Sequence, residues 1–249
     1  MNADAHNNTH THSAFILAAG KGTRLRPYTD DKPKPMVEVH GKPLVSHIID
    51  KLVTQSVDNI TINTSYLGHV LEDYLTTQDT PPLFFSHEDE LLETGGGVKK
   101  ALHTMNGEPF YLINGDAYWV DEKPNSSALK QLQGAWDNDS MDMMLLLQPI
   151  SSMSLTGGVG DYRMDETSRL ERAKDLNGEY MFTGIRIVHP RVFEGTPDGA
   201  FSFLECMDKA QEQGRLFGVS YEDGQWHHIS TPQDLNAVNA DKDAKQKAA

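Results

Sequence analysis

The chain has 249 residues, of which 38% are hydrophobic and 23% charged, and its formal net charge is −14. This length fits one large α/β domain, since two domains would each be left with a small core. The acidic balance argues against nucleic acid or an anionic membrane surface as a partner, because both require broad basic patches.

The cysteine content and the apolar runs of the sequence indicate the cellular compartment in which the protein is expected. Cys206 is the one cysteine and cannot form a disulfide within the chain, so a reducing cytoplasm is the expected location. No apolar run approaches the roughly 18 residues that a membrane span needs, and the polar start MNADAHNNTHTHS argues against a signal peptide. We expect residues 1–13 to form a disordered tail.

Ordered structure is predicted to begin at Ser13–Ala14, where AFILA is a short apolar run typical of a strand buried on both faces. Strands and helices then alternate along the chain. Further strands are predicted at 59–64, 82–86, 109–115 and 141–149, and helices at 43–56, 66–75, 96–105 and about 126–137. This alternation with short connections indicates βαβ units and a mostly parallel sheet.

The pattern changes after residue 149. Residues 158–190 are typical of turns and antiparallel strands inserted on the sheet, and a helix at 201–214 and a strand at 215–223 follow. The terminal helix is predicted to begin at Thr231, as N-cap, with a proline at its first position. The predicted fold class is therefore α/β, with a Rossmann-like, mostly parallel sheet flanked by helices and an inserted antiparallel region. We assign residues 14–241 to one domain and expect residues 242–249 to be frayed.

The stretch LAAGKGTRLRPYTDDKPKP, residues 17–35, carries five of the 22 Lys and Arg residues. It follows the first strand and so lies at the carboxyl edge of the sheet, where open α/β folds bind ligands. Gly20 and Gly22 permit positive φ and allow backbone N–H groups to approach an anion closely. Arg24 follows them, and two prolines restrict the backbone around Lys34. These features favour a phosphate site over the alternative, a solvated basic loop.

Two common nucleotide signatures are absent from this loop. The Walker pattern G-x-x-x-x-G-K-[ST] does not occur. The dinucleotide pattern requires a third glycine where Leu25 stands and an acidic residue where the second strand ends in Asn63 and Thr64.

The stretch instead resembles the signature of the sugar-phosphate nucleotidyltransferases, the nucleotide-sugar pyrophosphorylases. The resemblance continues through ETGGGV (93–98), INGD (113–116), GVGDY (158–162) and FTGIRIVHP (182–190), and so covers nearly the whole chain. The LLETGGG form and the short chain without a C-terminal β-helix are most similar to N-acetylmuramate α-1-phosphate uridylyltransferases. Those are cell-wall recycling enzymes, close in pattern to mannose-1-phosphate guanylyltransferases.

The resemblance implies that a sugar 1-phosphate attacks the α-phosphate of a nucleoside triphosphate and releases pyrophosphate. Arg24 would hold the β- and γ-phosphates, and Lys34 would draw the two anions together as the second catalytic cation. The resemblance also implies that ETGGGV reads the base, although the glycines alone fit a flexible helix start equally well. The implied nucleotide-binding residues are Ala18, Ala19, Gly20, Gly22, Thr23, Asn63, Thr94 and Gly95.

Asp116 ends a buried strand at the same edge of the sheet. A carboxylate there suits Mg²⁺, which prefers oxygen ligands and shares substrate phosphates, whereas the alternative is an aspartate that caps a turn. The resemblance implies that Asp116 binds the metal, with Mg²⁺ as cofactor and Mn²⁺ as an alternative. It implies a sugar site in the inserted antiparallel region, formed by Asn114, Asp161, Glu171, Lys174 and Thr183. A surface ion pair explains Glu171 and Lys174 equally well.

One position departs from the family pattern. Members usually carry W-x-D-[VI]-G-T near the end, with the aspartate as a second metal carboxylate, but WHHIST places His228 there and Ser230 at the glycine. Neutral imidazole is a poorer Mg²⁺ ligand than carboxylate and suits softer metals. The site is thus expected to hold Mg²⁺ through Asp116, phosphates and water, to favour Mn²⁺, or to be impaired. A buried structural histidine is the alternative for His228.

The predicted function is the joining of N-acetylmuramate 1-phosphate to UTP in cell-wall sugar recycling. The expected partners are the nucleotide and the sugar phosphate, without nucleic acid or membrane, and the chain is compatible with a monomer. Two alternatives stay open. One is the same chemistry in a mannose-1-phosphate guanylyltransferase or a glucose-1-phosphate thymidylyltransferase. The other is a catalytically silent sugar-nucleotide sensor, which only His228 favours.

Overall fold

The computed structural model describes residues 11–123 and 126–241. The strands in this part of the chain are β1 (Ser13–Leu17), β2 (Glu38–Val39), β3 (Lys42–Pro43), β4 (Asn59–Thr64), β5 (Leu83–His87), β6 (Phe110–Asn114), β7 (Tyr118–Asp121), β8 (Met143–Pro149), β9 (Tyr162–Met164), β10 (Leu170–Arg172), β11 (Tyr180–Val188), β12 (Leu216–Ser220) and β13 (Gly224–His227). The helices are α1 (Leu44–Thr54), α2 (Gly68–Thr76), α3 (Glu93–Lys100), α4 (Ala128–Ala135), α5 (Phe203–Glu212) and α6 (Pro232–Ala240).

The central sheet has the strand order β12-β8-β11-β6-β1-β4-β5. Every neighbouring pair in this series is parallel except the two pairs that β11 makes with β6 and β8. The hairpin β9–β10 joins the start of β11, where Tyr180 pairs with Tyr162. The predicted fold class, a mostly parallel sheet with inserted antiparallel strands, is therefore confirmed.

The sheet separates two hydrophobic cores, and β1 contributes to both. Ala14 and Ile16 pack in one core with residues of α1, α2 and α4. Phe15 points to the opposite face and packs with residues of α3 and α5. Because both faces of β1 are buried, its sequence is a continuous apolar run and does not alternate.

A third cluster fixes the loop that follows β1. Leu25 and Val37, from the loop and its end, pack against Tyr118 of β7 and against Leu235 and Val238 of α6. Helix α6 begins as predicted, with Thr231 as N-cap in a capping box with Asp234 and a proline at the first position. The loop therefore packs against the last helix, which lies more than 190 residues further along the chain.

Several boundaries differ from the predictions. Strand β1 begins at Ser13, and Thr11 is buried with its N–H bonded to Gln133, so the predicted tail is wrong for residues 11–13. Helix α3 begins at Glu93, three residues before the predicted start. The antiparallel pair β7–β13 was not predicted. The tail prediction for residues 1–10 and the fraying predicted for 242–249 lie outside the described residues.

The helices of the described residues are too short or too polar to cross a membrane.

Candidate active site

The carboxyl ends of β1, β4 and β6 border a cavity of about 440 Å³, the main cavity. The sequence predicted a ligand site at this edge, because open parallel sheets bind ligands at the carboxyl ends of their strands. The predicted residues that line it are Ala18, Ala19, Gly20, Gly22, Thr23, Arg24, Lys34, Asn63, Thr94, Asn114 and Asp116. The fold thus brings the basic loop, the end of the second predicted strand and the INGD segment to one place.

Gly22 gives the loop its turn. Its φ is 60°, and a Cβ there would lie 3.0 Å from the Lys34 Cβ and 3.1 Å from the Thr29 Cγ2. The Thr29 hydroxyl donates to the Gly22 carbonyl at 2.9 Å and holds this conformation. Gly20, which would also permit a positive φ, does not adopt one. Arg24 is exposed at the cavity, and the described residues offer it no ion pair or hydrogen bond.

Lys34 and Asp116, which were predicted to serve phosphate and metal separately, contact each other. The Lys34 Nζ donates to the Asp116 Oδ2 at 2.6 Å, and their side chains are 13% and 40% exposed. The INGD segment is fixed by the Gly115 N–H, which donates to the Leu17 carbonyl at 2.8 Å. The predicted metal carboxylate therefore forms an ion pair with the predicted catalytic lysine.

Glu88 is a cavity residue that the sequence reasoning missed. It is 2% exposed and lines the main cavity. Its Oε1 accepts from the Asn63 Nδ2 at 2.7 Å and its Oε2 from the Leu92 N–H at 3.0 Å. The Asn63 Oδ1 accepts from the Ala18 N–H at 2.7 Å. Glu88 directly follows β5, so the rule that singled out Asp116, an acidic residue after a strand at the carboxyl edge, could have found it.

The three glycines of ETGGGV lie inside α3, where they allow close packing. A Cβ on Gly97 would lie 2.5 Å from the Glu88 Oε1 and 2.8 Å from the Asn63 Nδ2. The Gly95 N–H donates to the Phe201 carbonyl at 2.9 Å, and Gly95 does not line the main cavity. Thr94 does line it, and its hydroxyl accepts from the Phe203 N–H at 2.9 Å. The motif therefore seats α3 against Glu88 and the start of α5.

A second cavity of about 430 Å³ adjoins the main cavity, and Thr94 and Asn114 line both. Two further predicted sugar residues, Asp161 and Lys174, line the second cavity. The Asp161 Oδ2 accepts from the Phe182 N–H at 3.1 Å, and burial raises the pKa of this carboxyl. The antiparallel strands thus form a compartment beside the main cavity.

Two predicted sugar residues do not reach this compartment. Thr183 is buried, and its hydroxyl donates to the Leu146 carbonyl at 2.8 Å. Glu171 is exposed and does not line the second cavity. Arg186, which the sequence reasoning did not single out, lines it instead.

The C-terminal segment contributes Ser230 to the main cavity, while His228 lies outside its lining. The His228 imidazole stacks on Trp226 with 5.6 Å between ring centroids, and the backbone N–H of His228 donates to the Thr156 hydroxyl. Ser230 is buried, and its Oγ has no hydrogen-bond partner among the described residues. Within residues 11–123 and 126–241, no three His, Cys, Asp or Glu side chains are grouped to hold a metal ion.

Comparison with known proteins finds related sequences along the chain. Residues 13–149 match the family described as Nucleotidyl transferase. An N-acetylmuramate alpha-1-phosphate uridylyltransferase of Caulobacter vibrioides is 35% identical over 234 residues, covering 91% of this chain and 95% of that protein. A protein of the same name from Neisseria meningitidis serogroup B is 29% identical over 231 residues, covering 91% and 96%.

Among solved structures, the inositol-1-phosphate CTP transferase from T. maritima superimposes with a TM-score of 0.77 at 20% identity and covers 96% of both chains. At this identity the likeness concerns the fold. The sequence relatives and the structural neighbour each extend over nearly the whole length of this chain.

Proposed function

Since the chain belongs to the nucleotidyl transferase family, we propose that it joins UTP to N-acetylmuramate α-1-phosphate and releases pyrophosphate. The coarser activity, nucleotidyl transfer to a sugar 1-phosphate, is supported by the family and by the names of the relatives. The observation that carries the proposal is the pair of adjoining cavities that share Asn114 and Thr94. One holds phosphate-directed cations and the other is built from the antiparallel strands, so two substrates can meet between them.

The reaction needs no covalent enzyme intermediate, because the nucleophile is already an anion. A phosphate oxygen of the sugar 1-phosphate attacks the α-phosphorus in line, and the bond to the β-phosphate oxygen breaks to release pyrophosphate. Catalysis then depends on positioning and on neutralising charge. Arg24, which is exposed at the main cavity, holds the β- and γ-phosphates together with loop N–H groups. Lys34 holds the two reacting phosphates together.

Asp116 is the residue that would hold a divalent cation. Its carboxylate lines the main cavity, and a hard cation such as Mg²⁺ uses one or two carboxylates together with substrate phosphates. The residues present fit such a cation when the nucleotide supplies further oxygens. The cation would supply charge neutralisation at the phosphates, with Mn²⁺ as an alternative to Mg²⁺.

Glu88 supports UTP as the nucleotide. Both carboxyl oxygens of Glu88 accept hydrogen bonds from the protein, and the group is buried in the wall of the main cavity. Uracil presents an N–H at N3, whereas cytosine and adenine present a bare ring nitrogen on the corresponding edge. A carboxyl acceptor placed against the ring nitrogen therefore favours uracil, whereas one placed against the neighbouring position would accept from the amino group of cytosine or adenine. Thymine and guanine also present a ring N–H, so the guanylyl and thymidylyl alternatives stay open on this ground.

The names of the relatives support the sugar. Both proteins reported above are called N-acetylmuramate alpha-1-phosphate uridylyltransferases and match nearly this whole chain. A role in cell-wall sugar recycling follows from this substrate. The silent-sensor alternative rested on His228, but Arg24, Lys34 and Asp116 all line the main cavity.

The experiment is pyrophosphate release from the purified protein, with UTP, CTP, GTP, dTTP and ATP each combined with four sugar 1-phosphates. The sugars are N-acetylmuramate, N-acetylglucosamine, glucose and mannose. UTP with N-acetylmuramate 1-phosphate is expected to give the highest kcat/KM. Preference for GTP with mannose 1-phosphate would replace the proposal by the guanylyl alternative, and absence of release with every pair would favour the sensor.

A further inference from the structure

Arg186 lies in the middle of the sheet, beneath the second cavity. It stands on β11, opposite Leu112 of β6 on one side and Leu145 of β8 on the other. Only 3% of the residue is exposed, yet it lines the second cavity. A guanidinium in such a position is rare, because charged side chains are almost never fully buried without a partner.

The surroundings of this guanidinium contain no carboxylate partner. Within the described residues, Arg186 makes no ion pair, and its one hydrogen bond is a long contact of 3.4 Å from Nη1 to the Asn114 Oδ1. Its Nε is buried without a hydrogen-bond partner. The rings of Phe182 and Phe203 lie 5.2 Å and 4.6 Å from the Cζ and offset part of the desolvation through cation–π contacts.

Two acidic side chains of this region make other contacts. Asp208 is held by Arg172, which also lines the second cavity, through contacts of 2.9 Å and 2.7 Å. Asp161 accepts from the Phe182 N–H. Burial lowers the pKa of Arg186 to about 9, which still leaves the guanidinium charged at neutral pH. The cavity floor therefore carries a buried positive charge that no described residue neutralises.

We propose that Arg186 binds a carboxylate carried by the acceptor sugar. The planar guanidinium matches a carboxylate, and a ligand that fills the second cavity supplies the missing anion. The reacting phosphates have their own cations, Arg24 and Lys34, in the main cavity. The inference rests on the proposed function: the lactyl ether of N-acetylmuramate carries such an acid group, whereas N-acetylglucosamine is the same hexose without it.

A neutral hexose in this cavity leaves the guanidinium buried and unpaired. Sites built around a buried polar group reject analogues that lack its partner. Arg186 is therefore a specificity-determining residue, and its effect is on the choice between acidic and neutral acceptor sugars.

The test compares N-acetylmuramate 1-phosphate with N-acetylglucosamine 1-phosphate, with UTP as donor, in the wild type and in Arg186→Met. Methionine keeps an unbranched apolar side chain beside the two phenyl rings and removes the charge. The ratio of the two kcat/KM values, acidic over neutral, is expected to fall at least about tenfold in the variant. An unchanged ratio overturns the proposal. A wild type that uses neither sugar contradicts the proposed function itself, and the binding experiment below then decides the carboxylate assignment by itself.

Binding without turnover separates the carboxylate from the phosphate. Free N-acetylmuramic acid carries the carboxylate alone, and N-acetylglucosamine 1-phosphate carries the phosphate alone. In calorimetry, Arg186→Met is expected to weaken binding of the first much more than binding of the second. Equal weakening of both assigns Arg186 to phosphate and overturns the carboxylate assignment.

Arg172→Met is the matched control. It removes a guanidinium from the same cavity, but one whose charge Asp208 already neutralises. The acidic-over-neutral ratio is expected to change far less than in Arg186→Met, and an equal change contradicts a specific role for Arg186. The melting temperature of Arg186→Met is expected to equal or exceed that of the wild type, since an unpaired buried charge is removed. A variant that fails to fold shows that the charge is structural and overturns the proposal.

Discussion

The Lys34 ammonium donates to the Asp116 carboxylate at 2.6 Å, although 82 residues separate them in the chain. The contact joins the loop after β1 to the end of β6, and it pairs the cation proposed for phosphate with the carboxylate proposed for metal. The proposed mechanism assigns the ammonium to phosphate and the carboxylate to a divalent cation, so these two roles would require the pair to separate when a triphosphate and a cation bind. The ion pair thus couples the two groups to which the proposed mechanism gives the phosphate and metal roles.

The first prediction concerns Lys34 and Arg24. Lys34→Ala and Arg24→Ala are each expected to lower turnover by about 10²–10³-fold, because each removes charge stabilisation at the phosphates. Both side chains lie at the cavity surface, so the melting temperatures should stay close to that of the wild type. Pyrophosphate release is the measurement, and Lys32→Ala, in the same loop but outside the main cavity, is the control. Near-normal turnover in either variant would remove that residue from the proposed mechanism.

The second prediction concerns the divalent cation. Mn²⁺ is expected to bind the free protein weakly and to bind much more tightly when UTP is present, because Asp116 is engaged by Lys34 and the triphosphate supplies further oxygens. Titration followed by electron paramagnetic resonance measures both affinities. Lys34→Met is expected to tighten Mn²⁺ binding in the absence of nucleotide, whereas Asp116→Asn should weaken it. If Asp116→Asn turns over normally, the metal assignment fails.

His228→Asp provides a comparison for the same site. His228 lies outside the main cavity, with its ring stacked on Trp226, so the Mg²⁺ concentration for half-maximal activity should stay within about twofold. A clearly lower Mg²⁺ requirement would show that residue 228 reaches the metal after all.

The third prediction concerns the base. Glu88→Gln is expected to lower kcat/KM with UTP by about tenfold and to narrow the preference for UTP over CTP, because an amide can donate to the ring nitrogen of cytosine. Steady-state kinetics with UTP and CTP, in the wild type and in the variant, give the ratio of the two kcat/KM values for each protein. Glu90→Gln changes an exposed carboxylate two residues away and should leave the preference as it is. An unchanged preference in Glu88→Gln would mean that Glu88 only positions Asn63.

The fourth prediction compares two glycines in helices. Gly97→Ala is expected to weaken UTP binding and lower stability, since the new Cβ would lie 2.5 Å from the Glu88 Oε1. Gly134→Ala, in α4, has nothing within 4 Å of the new Cβ and should raise stability by about 0.5–1 kcal/mol. Denaturant unfolding and UTP calorimetry measure the two effects. Equal stabilisation by both substitutions would show that α3 can move away from Glu88.

The fifth prediction concerns pH. Burial lowers the pKa of His189 to about 4, and its Nδ1 accepts the Arg191 N–H at the start of a 3-10 helix. The unfolded chain protonates this histidine near pH 6.5, so the unfolded state binds more protons between about pH 6.5 and 4. The contribution to stability is thus present above this window and is lost as the pH falls through it, with a slope of at most about 1.4 kcal/mol per pH unit.

His189→Asn tests this assignment. Asparagine can accept the same N–H as an N-cap and does not titrate, so the slope of the unfolding free energy between pH 6.5 and 4 should become shallower. His69→Asn replaces an exposed histidine and is the control. An equal slope in His189→Asn and wild type would assign the acid sensitivity to other groups.

The sequence by itself predicted most strands and helices in their order, and it predicted the edge of the sheet at which the main cavity lies. AFILA is buried on both faces and so shows a continuous apolar run, and Thr231 with Pro232 marks the start of the last helix through contacts within one turn. The basic loop could be located because a residue that follows a parallel strand must lie at its carboxyl edge. These properties depend on residues close together in the chain, which a pattern can register.

The tertiary structure decided which side chains contact one another. Asn63 holds Glu88 across 25 residues, and Arg186 meets Asn114 across 72, so neither contact leaves a mark in any local pattern. The triple glycine was compatible with a base-reading segment or with a flexible helix start, and only the position of Glu88 against α3 shows why the helix excludes a Cβ at Gly97. An arginine inside an apolar strand is equally compatible with a surface position until the neighbouring strands bury it. Burial and pairing arise from the order of strands in the sheet, and that order is set by packing between segments far apart in the chain.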